Sequence, residues 1–378
     1  MGLFSSQEGF LGIDLGAGNI KLVELRNEQG RPRLVTYGMY EVPHAQIVDN
    51  DWSGRKKEAA NALKLLVEQT KAKSRLAVSA LPTFAVFSSL ISSPPVGPKE
   101  LANAIRLEAK KVVPRPIEEM ILDWKEVIPS TAAKTSASGE EDDADPELGR
   151  ITGMKTGQQK KILITAAPKE LVDDYVGIFK DAGLRLVSLE TEALALSRSL
   201  VGRDPSVIMV VDMGAKTTNL SIIEQGIPLV NRAVNFGGAL VTGEIAKRSG
   251  ISARQAEQWK RDMGLIMNRT PITPAVRDIL DDVLHEIEYL FQLYRRQFST
   301  TASATGTAIE KVVLAGGTCF VPGLAQYLAE RLNVPVHIGD PWARVVYPED
   351  INQLLVEIGP SMAVSVGLAM RHITPTNT

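Results

Sequence analysis

Cysteine is almost missing from this 378-residue chain: Cys319 stands alone, which excludes an intrachain disulfide and suits a reducing compartment. The four histidines, at 44, 285, 337 and 372, are scattered without metal-ligand spacing, so a zinc centre is not expected. Positive charge is not in excess either. A formal charge of −2 argues against nucleic acid as a main ligand. No apolar stretch is read as approaching the roughly 18 residues of a membrane span, and no signal peptide is apparent, so direct membrane insertion is not expected. Met1-Gly2-Leu3-Phe4-Ser5-Ser6 matches the myristoylation pattern, but nothing polybasic supplies a second membrane signal. A Walker A sequence is absent, which removes the P-loop class. What is present, 44% apolar residues over this length, is enough for two or three domains with substantial cores.

The segment "GIDLGAGNIKLVEL", residues 12–25, opens like a dinucleotide fingerprint with Gly16-Ala17-Gly18 after an apolar run. That fingerprint needs a third glycine and must feed a helix. Here the third position is Lys21, and Ile20, Leu22, Val23 and Leu25 are too densely apolar and too β-branched for a surface helix. The segment reads as strand, tight turn, strand, with Asp14 at the end of the first strand. Residues 207–223, "VIMVVDMGAKTTNLSII", repeat it: Asp212-Met213-Gly214-Ala215 lies over Asp14-Leu15-Gly16-Ala17 without a gap. Glycines let backbone amides approach phosphate oxygens. Carboxylates at the strand mouths would oppose a phosphate unless a cation intervened, and magnesium binds through one or two carboxylates, waters and nucleotide phosphates. Asn19, Lys21, Lys216, Thr217, Thr218 and Asn219 add polar and cationic groups to the two turns. The plain alternative is two ordinary Asp-Gly hairpins.

A third element, residues 311–336, is an apolar strand, Gly316-Gly317-Thr318, and an amphipathic helix with Leu324, Tyr327, Leu328 and Leu332 at helical spacing. Gly316-Gly317-Thr318 would let backbone lie flat on a ligand and Phe320 could border an adenine; an ordinary strand-to-helix crossover uses Gly-Gly as well. In this order, the two Asp-x-Gly hairpins and the Gly-Gly-Thr turn resemble the phosphate 1, phosphate 2 and adenosine motifs of the actin, sugar-kinase and seventy-kilodalton-chaperone superfamily. The resemblance implies a two-lobed α/β actin-like (ribonuclease-H-like) fold with ATP and Mg²⁺ between the lobes, the metal held by Asp14 and Asp212 directly or through water.

Further segments narrow the resemblance. Residues 236–264 are similar to a stretch of FtsA and PilM in which Gly238, Glu257 and Lys260 would lie near the nucleoside; on sequence alone Glu257 and Lys260 equally suit a solvated helix face. Residues 80–128, with "LEAKKVVPRPIEEMILDW", resemble the PilM insertion subdomain, residues 160–196 complete it, and 283–298 resemble a PilM second-lobe helix. The resemblance to the PilM family covers nearly the whole chain. It implies a first lobe at 1–81, 187–205 and 356–378, an inserted α+β subdomain at 82–186, and a second lobe at 206–355 with a smaller part at about 236–305. Two departures are Arg115, where an apolar residue is expected, and the acidic tract 130–158, expected to be disordered. The end of the chain lacks the basic amphipathic membrane helix of FtsA.

The family implies a cytoplasmic, ATP-binding scaffold of type IV pilus assembly and twitching motility, held at the inner membrane by a partner. That partner is the N-terminal cytoplasmic segment of PilN, with PilO and PilP behind it; self-association and contacts with pilus motor or platform components are further expectations. The PilN segment is expected in a groove that the inserted subdomain forms with the first lobe; Ala104, Ile105 and Leu107 on the subdomain's helix read as core rather than contact. ATP hydrolysis is expected to be slow or absent. Glu190 and Glu192 are the nearest candidates for positioning a water, against a plain reading as surface charge at a helix start. An FtsA-like division filament protein and a small-metabolite kinase are the competing functions.

Overall fold

Apolar alternation broken by Gly-containing turns forms strands first. The computed structural model describes residues 9–42, 52–93, 96, 98–127, 160–266, 274–297 and 309–373; the acidic tract 130–158, His44 and the Met1–Ser6 pattern lie outside them. Strands β1 (Gly9–Leu15), β2 (Asn19–Glu28) and β3 (Arg31–Glu41) make an antiparallel meander. Helix α1 (Lys56–Gln69) leads to β4 (Leu76–Leu81), which pairs in parallel with β1.

The chain then builds a separate compact unit, Ala85–Lys169. Its strands β5 (Phe87–Ser93), β6 (Met120–Val127) and β7 (Lys160–Pro168) form an antiparallel sheet in the order β5-β7-β6. Helix α2 (Pro98–Val112) covers one face, with Ile105, Ala109, Val113 and Ile117 packed against Ile91, Ile162, Ile164 and Ala166. Helical spacing puts Ile105 and Ala109 on one side, and Pro114 ends the helix because proline disfavours a helical residue before it. Leu107, expected in the core, is 65% exposed: two residues past Ile105 it lies on the opposite side of the helix. The unit is shorter than the 82–186 expected, since α3 (Lys169–Asp181) from Glu170 onward and β8 (Arg185–Thr191) fall in the larger unit, where β8 pairs in parallel with β4.

The larger unit, Met1–Phe84 with Glu170–Thr378, holds both repeats. After β8 come α4 (Glu192–Leu196), a π-turn (Ser197–Val201), β9 (Ile208–Met213), β10 (Thr218–Glu224) and β11 (Ile227–Val234). Helices α5 (Gly238–Ser249), α6 (Ala253–Ile266) and α7 (Pro274–Gln297) follow. Then come β12 (Lys311–Ala315), α8 (Leu324–Leu332), β13 (Val336–Ile338) and α9 (Asn352–Ala369). The sheet orders, β3-β2-β1-β4-β8 and β11-β10-β9-β12-β13, are superimposable: a three-stranded meander followed by two parallel strands. The duplication reaches the hairpin ends. Glu28-Gln29-Gly30 and Glu224-Gln225-Gly226 both turn with positive φ at Gln and Gly, the twist-matched conformation for two-residue hairpin loops.

A shared core joins the lobes. Val78 and Ala80 from the first sheet, Val210, Val313 and Ala315 from the second, and Ala195, Leu196, Ala363, Val364 and Leu368 between them form one buried cluster. Backbone approaches so closely that a β-carbon on Gly12 would lie 1.9 Å from the Ser365 carbonyl oxygen, and one on Gly367 2.0 Å from that of Ala195. This packing explains an unexpected feature. The helix spanning Glu349–Ala369 is long and apolar enough, by length and composition, to cross a membrane, contrary to the sequence expectation. From Gly359 to Ala369 nearly every residue is buried, so the apolarity of this part belongs to a helix segment enclosed by protein, while Leu354 and Val356 in the first turns are exposed.

Candidate functional site

Each Asp-x-Gly turn closes a hairpin whose first strand ends in the aspartate. Across β1–β2, Asp14 stands opposite Lys21, and the ammonium reaches the carboxylate at 2.8 Å with both groups nearly buried. Across β9–β10, Asp212 stands opposite Asn219. Gly16 is required by its turn, since a β-carbon there would sit 2.8 Å from the Asn19 carbonyl oxygen. The Trp52 indole donates to the Gly16 carbonyl (3.2 Å) and the Val42 amide to that of Gly18 (3.0 Å), holding the first turn. In the second, the Gly214 amide donates to the Thr217 carbonyl (2.9 Å), and the N-terminal amides of α5 bond back onto the turn, Gly238 to Gly214 (2.9 Å) and Ala239 to Ala215 (2.8 Å). The two turns meet: a β-carbon on Gly18 would lie 2.5 Å from that of Ala215.

The third element joins them. Gly316, at φ +79°, has no room for a side chain, because a β-carbon would lie 2.3 Å from the Met213 carbonyl oxygen and 2.7 Å from Asp212 Oδ1. Thr318 bonds the second turn twice, through its amide to Met213 (3.2 Å) and its hydroxyl to Gly214 (3.1 Å). Gly317 faces open space. Glu257 and Lys260, one turn apart on α6, arrive at the same place. The Lys260 ammonium donates to the Gly238 carbonyl (3.1 Å), the Thr242 hydroxyl (2.9 Å) and Glu257 (2.8 Å), and Glu257 accepts from Arg261 (3.1 Å). They are a part-buried network at the foot of α5, not a solvated face. Phe320 is half-buried against the second-lobe core.

Glu190 and Glu192 are separated by a single residue, and the fold gives them opposite fates. Glu190 is buried and held by Arg198 through both carboxylate oxygens (2.8 and 2.9 Å) and by Arg371, so it ties β8 to the end of α9 and contributes nothing to the turns. Glu192 is brought to them. One of its oxygens accepts from the Thr83 amide (3.0 Å), the Thr83 hydroxyl (2.6 Å) and the Asn219 side-chain amide (2.9 Å). Neither is surface charge. Burial, reinforced by the negative charges of Asp14 and Asp212 and opposed by the Thr83 hydrogen bonds, raises the Glu192 carboxyl to about 7. Burial likewise raises Asp212 to about 6, with Lys21 and the Asn219 bond opposing and Asp14 adding to it. Burial works against the Lys21 charge, but Asp14 beside it, then Asp212 and Glu192, hold its pKa above the usual lysine value.

Thr218 departs from expectation. Its hydroxyl is fully buried and donates to the Phe236 carbonyl (2.8 Å), because alternation along β10 sends Asn219 to the cleft side and Thr218 to the core. Gly16, Ala17, Gly18, Asn19, Lys21, Gly214, Ala215, Lys216 and Thr217 lie in or beside the two turns as expected. Trp52 and Thr83 were not singled out in the sequence; Trp52 lies between elements and carries no local signal, whereas Thr83 lies two residues past the end of β4. Among the described residues no group of three or more His, Cys, Asp or Glu could hold a metal by itself.

Comparison with known proteins agrees with this arrangement. A solved structure of a PilM-PilN type IV pilus biogenesis complex matches 98% of this chain and 100% of its own, at a TM-score of 0.77 and 27% identity. The ethanolamine utilization protein EutJ of Escherichia coli is 27% identical over 167 residues, 43% of this chain and 52% of that protein, so the chain spans about half the length of that relative. The cell division protein FtsA of Streptococcus pneumoniae is 20% identical over 365 residues, covering 89% of this chain and 76% of FtsA. The family model described as type IV pilus assembly protein PilM matches residues 12–138 and 150–373. With a two-lobed actin-like fold throughout the larger unit and a family match running almost end to end, the chain belongs to the PilM family of type IV pilus assembly proteins.

Proposed function

We propose that this protein binds ATP with Mg²⁺ between its two Asp-x-Gly turns and serves the pilus assembly complex as a nucleotide-loaded scaffold. The observation that carries this reading is the charge balance of the cleft. Asp14, Asp212 and Glu192 converge there, Lys21 answers all three, and burial raises two of the carboxyls. Such a site favours a cation, and two carboxylates at the strand mouths suit magnesium, which takes its other ligands from waters and nucleotide phosphates. The residues fit the ligand: Gly16, Gly18 and Gly214 allow the two turns to close tightly, Gly317 faces open space, α5 directs its N-terminus at the second turn, and Gly316, Thr318, Gly238 and Lys260 line the adjoining nucleoside position. Bound Mg²⁺ would neutralise phosphate charge; Asp14 and Asp212 would hold it, and Lys21 would turn from Asp14 toward phosphate.

Glu192 is the candidate to orient a water. One of its oxygens is already engaged by Thr83 and Asn219, which supports slow or absent hydrolysis. By analogy with the PilM-PilN complex, the partner is PilN; the family resemblance makes the contacting part its N-terminal cytoplasmic segment, which would place the protein at the inner membrane beside PilO and PilP. Calorimetric titration of the full chain with ATP should show binding with Mg²⁺ that weakens when the metal is chelated, and a labelled PilN N-terminal peptide should bind by anisotropy. No ATP binding in excess Mg²⁺ would overturn the nucleotide assignment, no peptide binding the partner, and turnover at the roughly 1–100 per second of kinases the scaffold reading.

A further inference from the structure

Strand β6 closes one side of the smaller unit's sheet, and among the described residues nothing pairs with its outer edge. From Asp123 to Glu126 every residue is exposed, on both faces, and the strand also exposes two large apolar side chains, Ile121 at 43% and Trp124 at 40%. An open edge with exposed apolar residues is a pairing hazard that proteins usually suppress with charge. Charges are present, Asp123 and Lys125, but they flank Trp124 with opposite signs. The Trp124 amide donates to the carboxylate of the residue before it, Asp123, at 2.9 Å. That local bond occupies a donor directed to the open edge, where a neighbouring strand's carbonyl would otherwise accept.

We propose that β6 pairs antiparallel with β6 of a second copy of this chain, on a two-fold axis through Trp124. The register follows from the sequence. In an antiparallel pair centred on Trp124, the two Trp124 residues stand opposite each other and Asp123 stands opposite Lys125 of the other copy, twice by symmetry. Each Trp124 amide, outward-directed, bonds the other's carbonyl, so this is the hydrogen-bonded pair. Asp123 and Lys125 then occupy the non-hydrogen-bonded positions on either side, where facing side chains come closest and opposite charges gain most. Forming the dimer exchanges the local Asp123 bond for an ion pair. Leu122 stands opposite Glu126 of the other copy, on the same face as Trp124. An unrelated extended peptide gains the main-chain bonds but not two matched ion pairs, so the pattern favours a second copy over a foreign strand. A single strand pair buries little surface, so the dimer is expected to be weak and concentration-dependent.

Sedimentation equilibrium of the full chain tests this. Wild type should dimerise reversibly. Asp123→Lys and Lys125→Asp should each weaken the dimer about tenfold or more, since either reversal replaces two attractive pairs by two repulsive ones. The double variant Asp123→Lys/Lys125→Asp restores the match and should recover dimerisation. Trp124→Cys should form an intermolecular disulfide under mild oxidation, because paired strand positions fall within disulfide reach. Ser88→Cys, on the opposite edge strand, should not, and Cys319 is buried and gives no background. A wild type monomeric at all accessible concentrations, a dimer indifferent to the single reversals, or a double variant that fails to recover would each overturn the proposal.

Discussion

The two lobes carry the same hairpin on the same five-stranded topology, yet their aspartates live in different surroundings. In the first lobe the residue across the ladder is Lys21, and Asp14 has an ammonium at 2.8 Å. In the second it is Asn219, and Asp212 has an amide instead of a charge, with its carboxyl raised to about 6. A duplicated scaffold has been kept while its electrostatics were divided: one turn carries its own countercharge and the other leaves it to be supplied. Two Lys-bearing turns would neutralise the cleft and remove the attraction for a divalent cation. Two Asn-bearing turns would leave buried carboxylates without any counter-ion, which is costly.

The comparison breaks most severely if the turns do not act together. Gly18→Val pushes a branched side chain into Ala215, where even a β-carbon would be 2.5 Å away, and should reduce ATP affinity by about a hundredfold or more. Calorimetry on the folded variant checks it, and unchanged affinity would mean that the turns bind separately.

Next is the asymmetry itself. Asp14→Asn and Asp212→Asn should each weaken Mg²⁺-dependent ATP binding by about tenfold or more. Their effects on the stability of the nucleotide-free protein should differ. Asp14→Asn deprives the buried Lys21 of its nearest partner and should cost about 1–3 kcal/mol in denaturant unfolding. Asp212→Asn removes a carboxylate that burial disfavours and should leave stability unchanged or higher. Equal losses would erase the distinction drawn between the lobes.

A pH series sharpens it further. Glu192 shifts from 4.5 to about 7 and Asp212 from 3.8 to about 6, so each binds its proton more tightly in the folded than in the unfolded chain. Their contribution to stability is therefore complete below the unfolded values and is lost as pH rises through the folded ones. The Tm of the nucleotide-free protein should include a component falling between about pH 4 and about pH 7, and Glu192→Gln should flatten it. A slope identical in wild type and Glu192→Gln would show that this carboxyl is not perturbed.

The smallest effect belongs to the link between Arg261 on α6 and Glu41 at the end of β3 (2.8 Å), which joins second lobe to first through exposed side chains. Arg261→Ala should cost under about 1 kcal/mol and change ATP affinity less than about threefold, measured in the same assays. A tenfold loss of affinity would make this link part of the binding site.

Much of the candidate site is local and was legible as such. Strand alternation, the glycine-bearing turns, their repetition at 14–21 and 212–219, and the Gly316-Gly317 turn before an amphipathic helix all depend on neighbours within a few residues, whose conformational preferences act at short range. The repeat even extends to the Glu-Gln-Gly turns at 28–30 and 224–226, a signal the sequence also carries. Tertiary structure alone decided which polar groups face the cleft. Glu190 is claimed by Arg371, 181 residues away, while Glu192 is drawn to Thr83 and Asn219, 109 and 27 residues away. Thr218 turns to Phe236 and its neighbour Asn219 to Glu192. The apolar run in α9 could have suited a membrane as well as a core until two sheets were seen to enclose it. In each case the side chain's own chemistry permits both outcomes, and the choice comes from the burial and charge of groups distant in sequence, which no local pattern encodes.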